Sequence, residues 1–402
     1  MRTKLVATVL GIVLLLSTPL SLLSGCSRLN AVCADFDAEK SYAAAMDFAV
    51  NLFKQSVSID TNSLISPISI LCALAMTANG ADGNTRAQME EVLGLSVGEL
   101  NAYLCYYMNS IAADNETTFS IANSIWFKDM ECFDVEREFL QLNADYYGAD
   151  IYKAPFDNNT LHDINDWVRG KTRDMVDGIL DEISRDDVMY LINAIAFEAE
   201  WQKLYENDQV RDRHFTALSG SQRNVEMMYS DEQVYLDDGR ATGFVKYYAG
   251  GRYAFAALLP NEGLAIGEYI ATLTGQGLAD TLRSAQNTLV YAAIPKFESE
   301  CKLVMNEALQ AMGVRDAFDQ YLANFQKLSS RTETYISSVT HKTFISVDAK
   351  GTRAAAAAIV IMAPKAAQIA QRVYLDRPFV YMLLDCETNT PFFIGTVMDI
   401  TA

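Results

Sequence analysis

Hydrophobic and polar positions recur along the chain with two different spacings, in different parts of the sequence. Helical spacing dominates the first hundred residues after the apolar N-terminus, whereas period-two alternation and continuous apolar runs come later. Ser66 followed by Pro67 predicts a helix start, because the serine side chain accepts from free backbone N–H groups and proline fits the first turn. Further helices are predicted over Thr85–Leu93, Leu161–Met175 and Lys302–Met312.

Strands are predicted where β-branched and aromatic residues concentrate. They span Phe119–Phe127, Val188–Trp201, Leu289–Phe297, Thr340–Val347, Phe379–Leu384 and Phe392–Met398, the last two joined by a turn at Glu387–Asn389. The run Val188–Trp201 is long and apolar, which is typical of a central strand. Helices and strands occur without regular βαβ alternation, repeat or linker, so the sequence predicts the α+β class in one domain.

The N-terminus is predicted to be a targeting segment rather than part of the fold. An apolar run over Leu5–Leu16 leads to Leu23-Ser24-Gly25-Cys26, which resembles the lipobox of bacterial lipoproteins. In a lipobox the signal is removed before the cysteine, which then carries the lipid. The expected division is a signal peptide over 1–25, a lipidated tether over 26–40 and a folded domain over 41–402. We therefore expect a protein anchored on the outer side of a bacterial envelope membrane, extracellular or periplasmic; an ordinary secretory signal is the alternative.

Charge and residue counts exclude several classes of protein. The net charge is −19 and the chain has no basic stripe, which argues against nucleic acid as a partner. The histidines His162, His214 and His341 lie far apart and no C-x-x-C pair occurs, so neither a metal site nor a cofactor is predicted. No serine lies in a G-x-S-x-G motif. Cys72 and Cys386 lie in apolar runs and are predicted to be buried thiols; a disulfide is possible, but the sequence does not select its partners.

Six segments resemble the serpin family in order and spacing, over nearly all of the expected folded domain. They are Asn62–Ser69 with Ala73–Met76, Asn123–Phe127, Ile164–Val168 with Thr172, Leu191–Phe197 with Trp201, His341-Lys342 with Gly351-Thr352-Arg353 and the alanines that follow, and Arg377–Val380 with Phe392–Gly395. The resemblance implies one α+β domain with a large central mixed β-sheet, surrounding helices and an exposed reactive loop. It also implies an inhibitor of serine proteases rather than an enzyme. The inhibitor would be a monomer that forms a covalent 1:1 complex with its target.

The resemblance further implies how such an inhibitor acts. A protease attacks the exposed loop and forms an acyl-enzyme. The cut loop then inserts into the sheet as an extra strand and carries the protease across the molecule, which deforms the active site of the protease.

The hinge of this loop is assigned to Gly351, Thr352, Arg353, Ala354, Ala355, Ala356, Ala357 and Ala358. Local propensity favours a helix over the alanines, whereas a strand that enters a packed sheet requires small side chains on its buried face. Alternation places Thr352, Ala354, Ala356 and Ala358 on that face and Arg353 on the other. Gly351 gives the backbone freedom to bend inward.

The reactive bond is assigned by counting, because in inhibitory serpins it follows the fourteenth residue after the hinge glycine. From Gly351 the count gives the Lys365–Ala366 bond, within one or two positions, in a small, polar, proline-containing segment. Lys365 predicts a trypsin-like target, whose specificity pocket has an acidic residue at its base. Small and aliphatic neighbours leave an elastase-like target open.

The resemblance also assigns supporting residues. Ser66, Ser69, Asn193 and His341 match a polar cluster beneath the sheet, where it opens, and Trp201 matches a tryptophan where the loop enters the sheet. The same residues also fit a hydrogen-bonded core, in which each bond contributes about 1 kcal/mol.

Three positions depart from the family, because Ser346, Ala349 and Arg353 stand where acidic residues are usual. This departure puts the efficiency of loop insertion in question. The alternative function is a non-inhibitory serpin, either a simple protease substrate or a carrier. Bulky or charged inward residues in the hinge would favour that alternative, and the positions from Thr352 to Ala358 show none.

Overall fold

A computed structural model of the chain describes residues 33–112, 117–131, 133–330, 333–352 and 370–400. These residues form nine α-helices and fifteen β-strands. The helices are α1 (Ala38–Ser56), α2 (Pro67–Ala78), α3 (Gly83–Leu93), α4 (Val97–Ala112), α5 (Arg137–Tyr147), α6 (Asn158–Lys171), α7 (Ile266–Thr272), α8 (Gly275–Arg283) and α9 (Asn306–Met312). The strands are β1 (Ser63–Ile65), β2 (Thr118–Lys128), β3 (Asp150–Ala154), β4 (Met189–Glu200), β5 (Val210–Thr216), β6 (Gln222–Asp237), β7 (Ala241–Tyr247), β8 (Tyr253–Pro260), β9 (Gln286–Pro295), β10 (Phe297–Val304), β11 (Thr340–Val347), β12 (Gly351–Thr352), β13 (Gln371–Tyr374), β14 (Phe379–Asp385) and β15 (Thr390–Val397).

Local sequence explains where helix α2 begins and where helix α3 ends. Ser66 accepts a hydrogen bond from the backbone N–H of Ser69 and Pro67 occupies the first turn, which confirms the predicted start of α2. Helix α3 is closed by Gly94, whose φ of +72° is one that glycine adopts readily. The start of α2 and the end of α3 are therefore each set by residues within the helix or next to it.

The strands form two sheets. The larger sheet has the order β1-β15-β14-β8-β7-β6-β9-β13, with β5 paired to β6. The smaller sheet has six strands in the order β10-β11-β12-β4-β2-β3. Most neighbours are antiparallel, but β13 pairs with β9 and β3 pairs with β2 in parallel. The architecture is α+β with mixed sheets, as predicted.

The larger sheet contributes much of the hydrophobic core. Every residue of β8, β14 and β15 is buried. A Cβ atom at Gly395 would lie 2.4 Å from the carbonyl oxygen of Ser63, so β1 packs against β15 only because that position is glycine. Each of these strands has a hydrogen-bonded partner on both sides.

The smaller sheet has a short strand at its centre. Strand β12 contains only Gly351 and Thr352 and pairs with β11 on one side and with β4 on the other. Strands β4 and β11 are twelve and eight residues long. Over the described part of the chain, each of them pairs with β12 but not with the other. Within the described residues, β4 and β11 are therefore joined only through the two residues of β12.

Two predicted boundaries next to strand β10 were wrong. The helix predicted over Lys302–Met312 begins only at Asn306, because Phe297–Val304 forms strand β10 paired with β11. The strand predicted over Leu289–Phe297 accordingly ends at Pro295, and β10 starts after Lys296.

The helix predicted to reach Met175 also ends early. It stops at Lys171, because Arg173 and Asp174 adopt positive φ angles of 50° and 61° that no helix continues through.

The cysteines that the structure describes divide into one disulfide and free thiols. Cys33 is bonded to Cys105 of α4. Cys72 is buried, as predicted, whereas Cys386 is only partly buried, because it lies just beyond the end of β14. The disulfide attaches Cys33 to the folded body, so the tether predicted over 26–40 is not free along its whole length. Among the described residues, none of the helices is long and apolar enough to cross a membrane.

Candidate functional site

Gly351 and Thr352, the first two residues of the predicted hinge, lie inside the smaller sheet. Gly351 is paired with Glu200, and Thr352 with Ala199 on β4 and Val347 on β11. A Cβ atom at Gly351 would lie 2.1 Å from the carbonyl oxygen of Ala199, so no other residue fits without moving β4. Thr352 is 2% exposed. Gly351 and Thr352 therefore form a buried strand in the middle of this sheet.

A tight turn over residues 348–350 precedes this strand. The Asp348 carboxylate accepts hydrogen bonds from the backbone N–H groups of Lys350, at 2.7 Å, and Gly351, at 3.1 Å. The backbone N–H of Asp348 donates to the carbonyl of Gly351 at 3.0 Å. We call residues 348–352 the loop base.

Trp201 lies directly against the loop base. Its backbone N–H donates to the carbonyl of Lys350 at 2.9 Å, and its indole N–H donates to the carbonyl of Asp348 at 2.8 Å. The indole stacks on Tyr248, with ring centroids 4.5 Å apart and planes 9° from parallel. The Tyr248 hydroxyl lies 2.7 Å from that of Thr352, and either can donate. The structure thus places Trp201 where the chain enters the sheet.

A second contact fixes the middle of the turn. The backbone N–H of Tyr205 donates to the carbonyl of Ala349 at 3.2 Å. Because Trp201 and Tyr205 both bond the turn through backbone or indole N–H groups, the hold on the loop base does not depend on an acidic side chain at position 349.

The predicted polar cluster consists of two hydrogen-bonded pairs at the first turn of α2. The backbone N–H of Ser66 donates to Nε2 of His341 on β11 at 2.9 Å. The hydroxyl of Ser69 donates to Oδ1 of Asn193 on β4. The start of α2 therefore contacts both strands that flank β12.

His341 is held neutral by its surroundings. It is 5% exposed, and burial lowers the pKa of its imidazole to about 4. Since Nε2 accepts from Ser66, a neutral ring is required for this contact. Protonation would turn Nε2 into a donor that faces another donor.

Sequence reasoning left several residues of the site without a role. Asn123 on β2 accepts from Nδ2 of Asn193 at 2.7 Å, and its own amide donates to the carbonyl of Tyr147 at 2.9 Å. The hydroxyl of Thr343 on β11 donates to the carbonyl of Leu64 at 2.9 Å. The sequence did contain one signal for Asn123, because it is a polar residue within a mostly apolar predicted strand. Nothing near Tyr248 in the sequence indicates its contact with Thr352, because the two are 104 residues apart.

Other predicted site residues lie outside the described part of the chain. They are Cys26, Arg353, Ala354, Ala355, Ala356, Ala357, Ala358, Lys365 and Ala366. Within the described residues, no group of three or more His, Cys, Asp or Glu side chains is placed to hold a metal ion.

Comparisons with known proteins agree with this geometry. The family model described as serpin (serine protease inhibitor) matches residues 43–400. Human neuroserpin is 28% identical over 374 residues, which cover 88% of this chain and 90% of neuroserpin. The crystal structure of the thermophilic serpin tengpin in its native state is 47% identical with a TM-score of 0.85, over 91% of this chain and 96% of tengpin. Thyroxine-binding globulin complexed with thyroxine has the same fold, with a TM-score of 0.79 at 24% identity over 90% of this chain and all of that one. The chain belongs to the serpin family.

Proposed function

We propose that this chain inhibits serine proteases by inserting its cleaved reactive loop between β4 and β11. The observation that carries the proposal is the two-residue strand β12, which separates two long strands that do not pair with each other in the described part of the chain. In the proposed inserted state, a longer strand of this same chain pairs with both of them. Arg353 and the residues after it continue the chain directly from β12, so they are the ones proposed to form that strand.

The residues of β4 and β11 beside β12 suit the strand proposed to enter between them. Thr352 is flanked by buried Ala199 and Val347, and further along the same faces lie buried Phe197 and Ile345. A strand in this space requires small inward side chains, and Ala354, Ala356 and Ala358 meet that requirement. Each added backbone hydrogen bond contributes about 1 kcal/mol, so a full strand paired on both sides is strongly favourable.

The chemical step belongs to the protease. Its serine oxygen bonds to the carbonyl carbon of Lys365, the Lys365–Ala366 bond breaks, and the amine of Ala366 leaves with the proton from the serine. Insertion of the fourteen residues between Gly351 and the ester moves the attached protease by about 46 Å, at about 3.3 Å a residue. The ester then persists because the protease active site is deformed before water attacks it.

Trypsin tests this proposal. Mixing the two proteins should give a covalent 1:1 complex that survives denaturing electrophoresis, and a released C-terminal fragment that starts at Ala366. Lys365→Ala should abolish the complex with trypsin, while the matched Lys365→Arg should retain it. Cleavage without any complex would contradict inhibition and support the non-inhibitory alternative.

The nature of the target is tested by the same fragment. A complex with elastase and a fragment starting at Ala363, Pro364 or Ala367 would move the reactive bond and replace the trypsin-like target with an elastase-like one. Lys365→Ala should then spare, or improve, the inhibition of elastase.

We further propose that the protein is exported and anchored through a lipid on Cys26. The Cys33–Cys105 disulfide supports export, because such bonds persist in oxidising compartments. Cys26→Ala should release the protein from the membrane fraction or block its processing, whereas Cys132→Ala should do neither. Unchanged processing and membrane retention in Cys26→Ala would contradict the anchor.

A further inference from the structure

Behind the loop base lies a buried ion pair that belongs to neither the hinge nor the polar cluster. The amine of Lys246 on β7 donates to Glu232 on β6 at 2.9 Å and to the carbonyl of Lys203 at 3.2 Å. The side chain of Lys246 is 1% exposed and that of Glu232 is 12% exposed. Burial lowers the pKa of the Lys246 amine, and the Glu232 carboxylate opposes this effect. A buried pair of this kind gives little net stability over apolar side chains of similar size.

The Lys246 amine also faces two aromatic rings. It lies 4.5 Å from the ring centroid of Tyr205 and 5.3 Å from that of Trp201, within the range of cation–π attraction. The Glu232 carboxylate accepts from the hydroxyl of Ser230 at 2.6 Å, and that hydroxyl lies 3.3 Å from the hydroxyl of Tyr205. Both members of the ion pair therefore act on Tyr205, and the cation acts on Trp201 as well.

These two aromatic residues are the ones that bond the turn of the loop base. Three hydrogen bonds run from Trp201 and Tyr205 to the carbonyls of Asp348, Lys350 and Ala349. Trp201 and Tyr205 thus connect the ion pair to the loop base, which must stay fixed while the chain beyond Thr352 moves.

We propose that the Lys246–Glu232 ion pair is a positioning device that holds Trp201 and Tyr205 against the loop base, so that the cleaved loop enters the sheet in one register and without delay. The proposal rests on the inhibitory function proposed above. A loose loop base lets the incoming strand sample other registers, and the acyl-enzyme is hydrolysed while it does so. Loss of the pair should therefore shift the protein from inhibitor towards substrate.

Three variants separate positioning from stability. Lys246→Met removes the cation and leaves Glu232 buried without its partner. Lys246→Met combined with Glu232→Met removes both charges and should recover much of the lost thermal stability, because no unpaired charge remains. Leu309→Ala in α9 is the matched control, since Leu309 is fully buried and has no part in the loop base.

The first measurement is the number of inhibitor molecules consumed for each trypsin molecule inhibited. We expect this stoichiometry to rise about threefold or more in Lys246→Met and in the double variant. A factor of this size corresponds to the loss of a weak cation–π contact. Leu309→Ala should lower the Tm with an unchanged stoichiometry. Recovery of both Tm and stoichiometry in the double variant would overturn the proposal, because the pair would then matter only for stability.

The second measurement does not depend on protease inhibition. Hydrogen exchange at the amides of Trp201 and Tyr205 should be faster in both Lys246 variants and unchanged in Leu309→Ala. Unchanged exchange in the Lys246 variants would overturn the positioning role even if the wild-type chain proved to be no inhibitor. Faster exchange combined with no covalent complex for the wild type would uphold the positioning role and reject the inhibitory function instead.

Discussion

The two sheets of this serpin are built from similar strands but differ at their centres. In the larger sheet, β8 lies between β14 and β7, and every one of its residues is buried. In the smaller sheet, the corresponding central place is occupied by the two residues of β12. The first turn of α2 contacts β4 and β11 of the smaller sheet through Asn193 and His341. In the larger sheet β8, β14 and β15 each pair on both sides, whereas β4 and β11 of the smaller sheet pair with β12 and, within the described residues, not with each other.

This difference separates two kinds of substitution. A change among the fully buried apolar residues of β8, β14 and β15 should lower the stability of every folded state by about the same amount. A change at the centre of the smaller sheet should instead alter the balance between the state with the loop outside and the state with the loop inserted. The predictions below use this distinction, from the largest expected effect to the smallest.

Thr352→Arg should convert the inhibitor into a substrate. Thr352 is buried between Ala199 and Val347 and contacts the Tyr248 hydroxyl, so a guanidinium there must lose its water without gaining a charged partner. The cost is several kcal/mol wherever position 352 lies between β4 and β11, so the arginine should keep this residue out of the sheet and oppose insertion of the strand that follows it. The covalent complex with trypsin should disappear from denaturing gels while cleavage of the loop continues.

Thr352→Ser is the matched control for this change. It keeps the hydroxyl and a small side chain, and it should retain the complex. Full complex formation by Thr352→Arg would show that the residues after Gly351 do not need to enter the sheet.

Leu383→Ala in β14 should have a different effect. Leu383 is fully buried in the larger sheet, and loss of such a side chain costs about 2–5 kcal/mol of the free energy of unfolding. The uncut and the cleaved protein should lose stability equally in denaturant titrations, and the stoichiometry of inhibition should not change. A loss confined to one of the two forms would mean that the larger sheet also changes on cleavage.

Acid should weaken the contact between α2 and β11. The pKa of His341 is about 4 when folded and near 6.5 when unfolded, so the unfolded state binds the proton first. The contribution of neutral His341 is fully present above about pH 6.5 and is lost as the pH falls to 4, for a total of about 3 kcal/mol.

Paired variants measure this contribution. The free energy of unfolding of the wild type should fall over this pH range by about 3 kcal/mol more than that of His341→Gln, whose amide oxygen can still accept from Ser66. His214→Gln should keep the wild-type profile, because His214 is exposed on β5. Parallel profiles for all three proteins would contradict a buried, neutral His341.

The sequence was sufficient for features that depend on neighbouring residues. The start of α2 follows from Ser66 and Pro67 alone, and the alternating burial of β11 follows from its period-two pattern. The start of α9 was predicted too early, because Lys302 to Val304 fit a helix locally while their pairing with β11 makes them a strand. Local propensity cannot indicate a partner that lies forty residues away.

The candidate site was predictable only in part, for a related reason. The resemblance supplied Ser66, Ser69, Asn193, His341 and Trp201, and the structure brings the first four together in two pairs. The contact of Tyr248 with Thr352, and that of Lys246 with the rings behind the loop base, join strands distant in sequence. Such contacts follow from sheet order, which a single sequence does not reveal.

The smallest expected effect concerns Arg353, one of the positions that depart from the family. Thr352 pairs with Ala199, so one further residue in the same register would place Arg353 opposite Glu198 in the inserted state. Glu198 and Glu200 lie on the partly exposed face of β4, since Ala199 between them is buried. An opposite-charge pair across neighbouring strands contributes about 0.2–1 kcal/mol. On this argument, an arginine suits position 353 better than the acidic residue usual in the family, because Glu198 and Glu200 lie on the neighbouring strand.

Arg353→Glu should therefore raise the stoichiometry of inhibition by up to about fivefold, because like charges then face each other as the strand enters. The combination of Arg353→Glu with Glu198→Lys should restore the wild-type stoichiometry, whereas Glu198→Lys alone should behave like Arg353→Glu. The differences should shrink in high salt, since exposed charges are screened. Failure of the double variant to restore the stoichiometry would mean that Arg353 and Glu198 do not meet, and that the strand continues beyond Thr352 in another register. The inward face of the loop, which Thr352→Arg tests, would be unaffected by that result, because the two faces of a strand are independent.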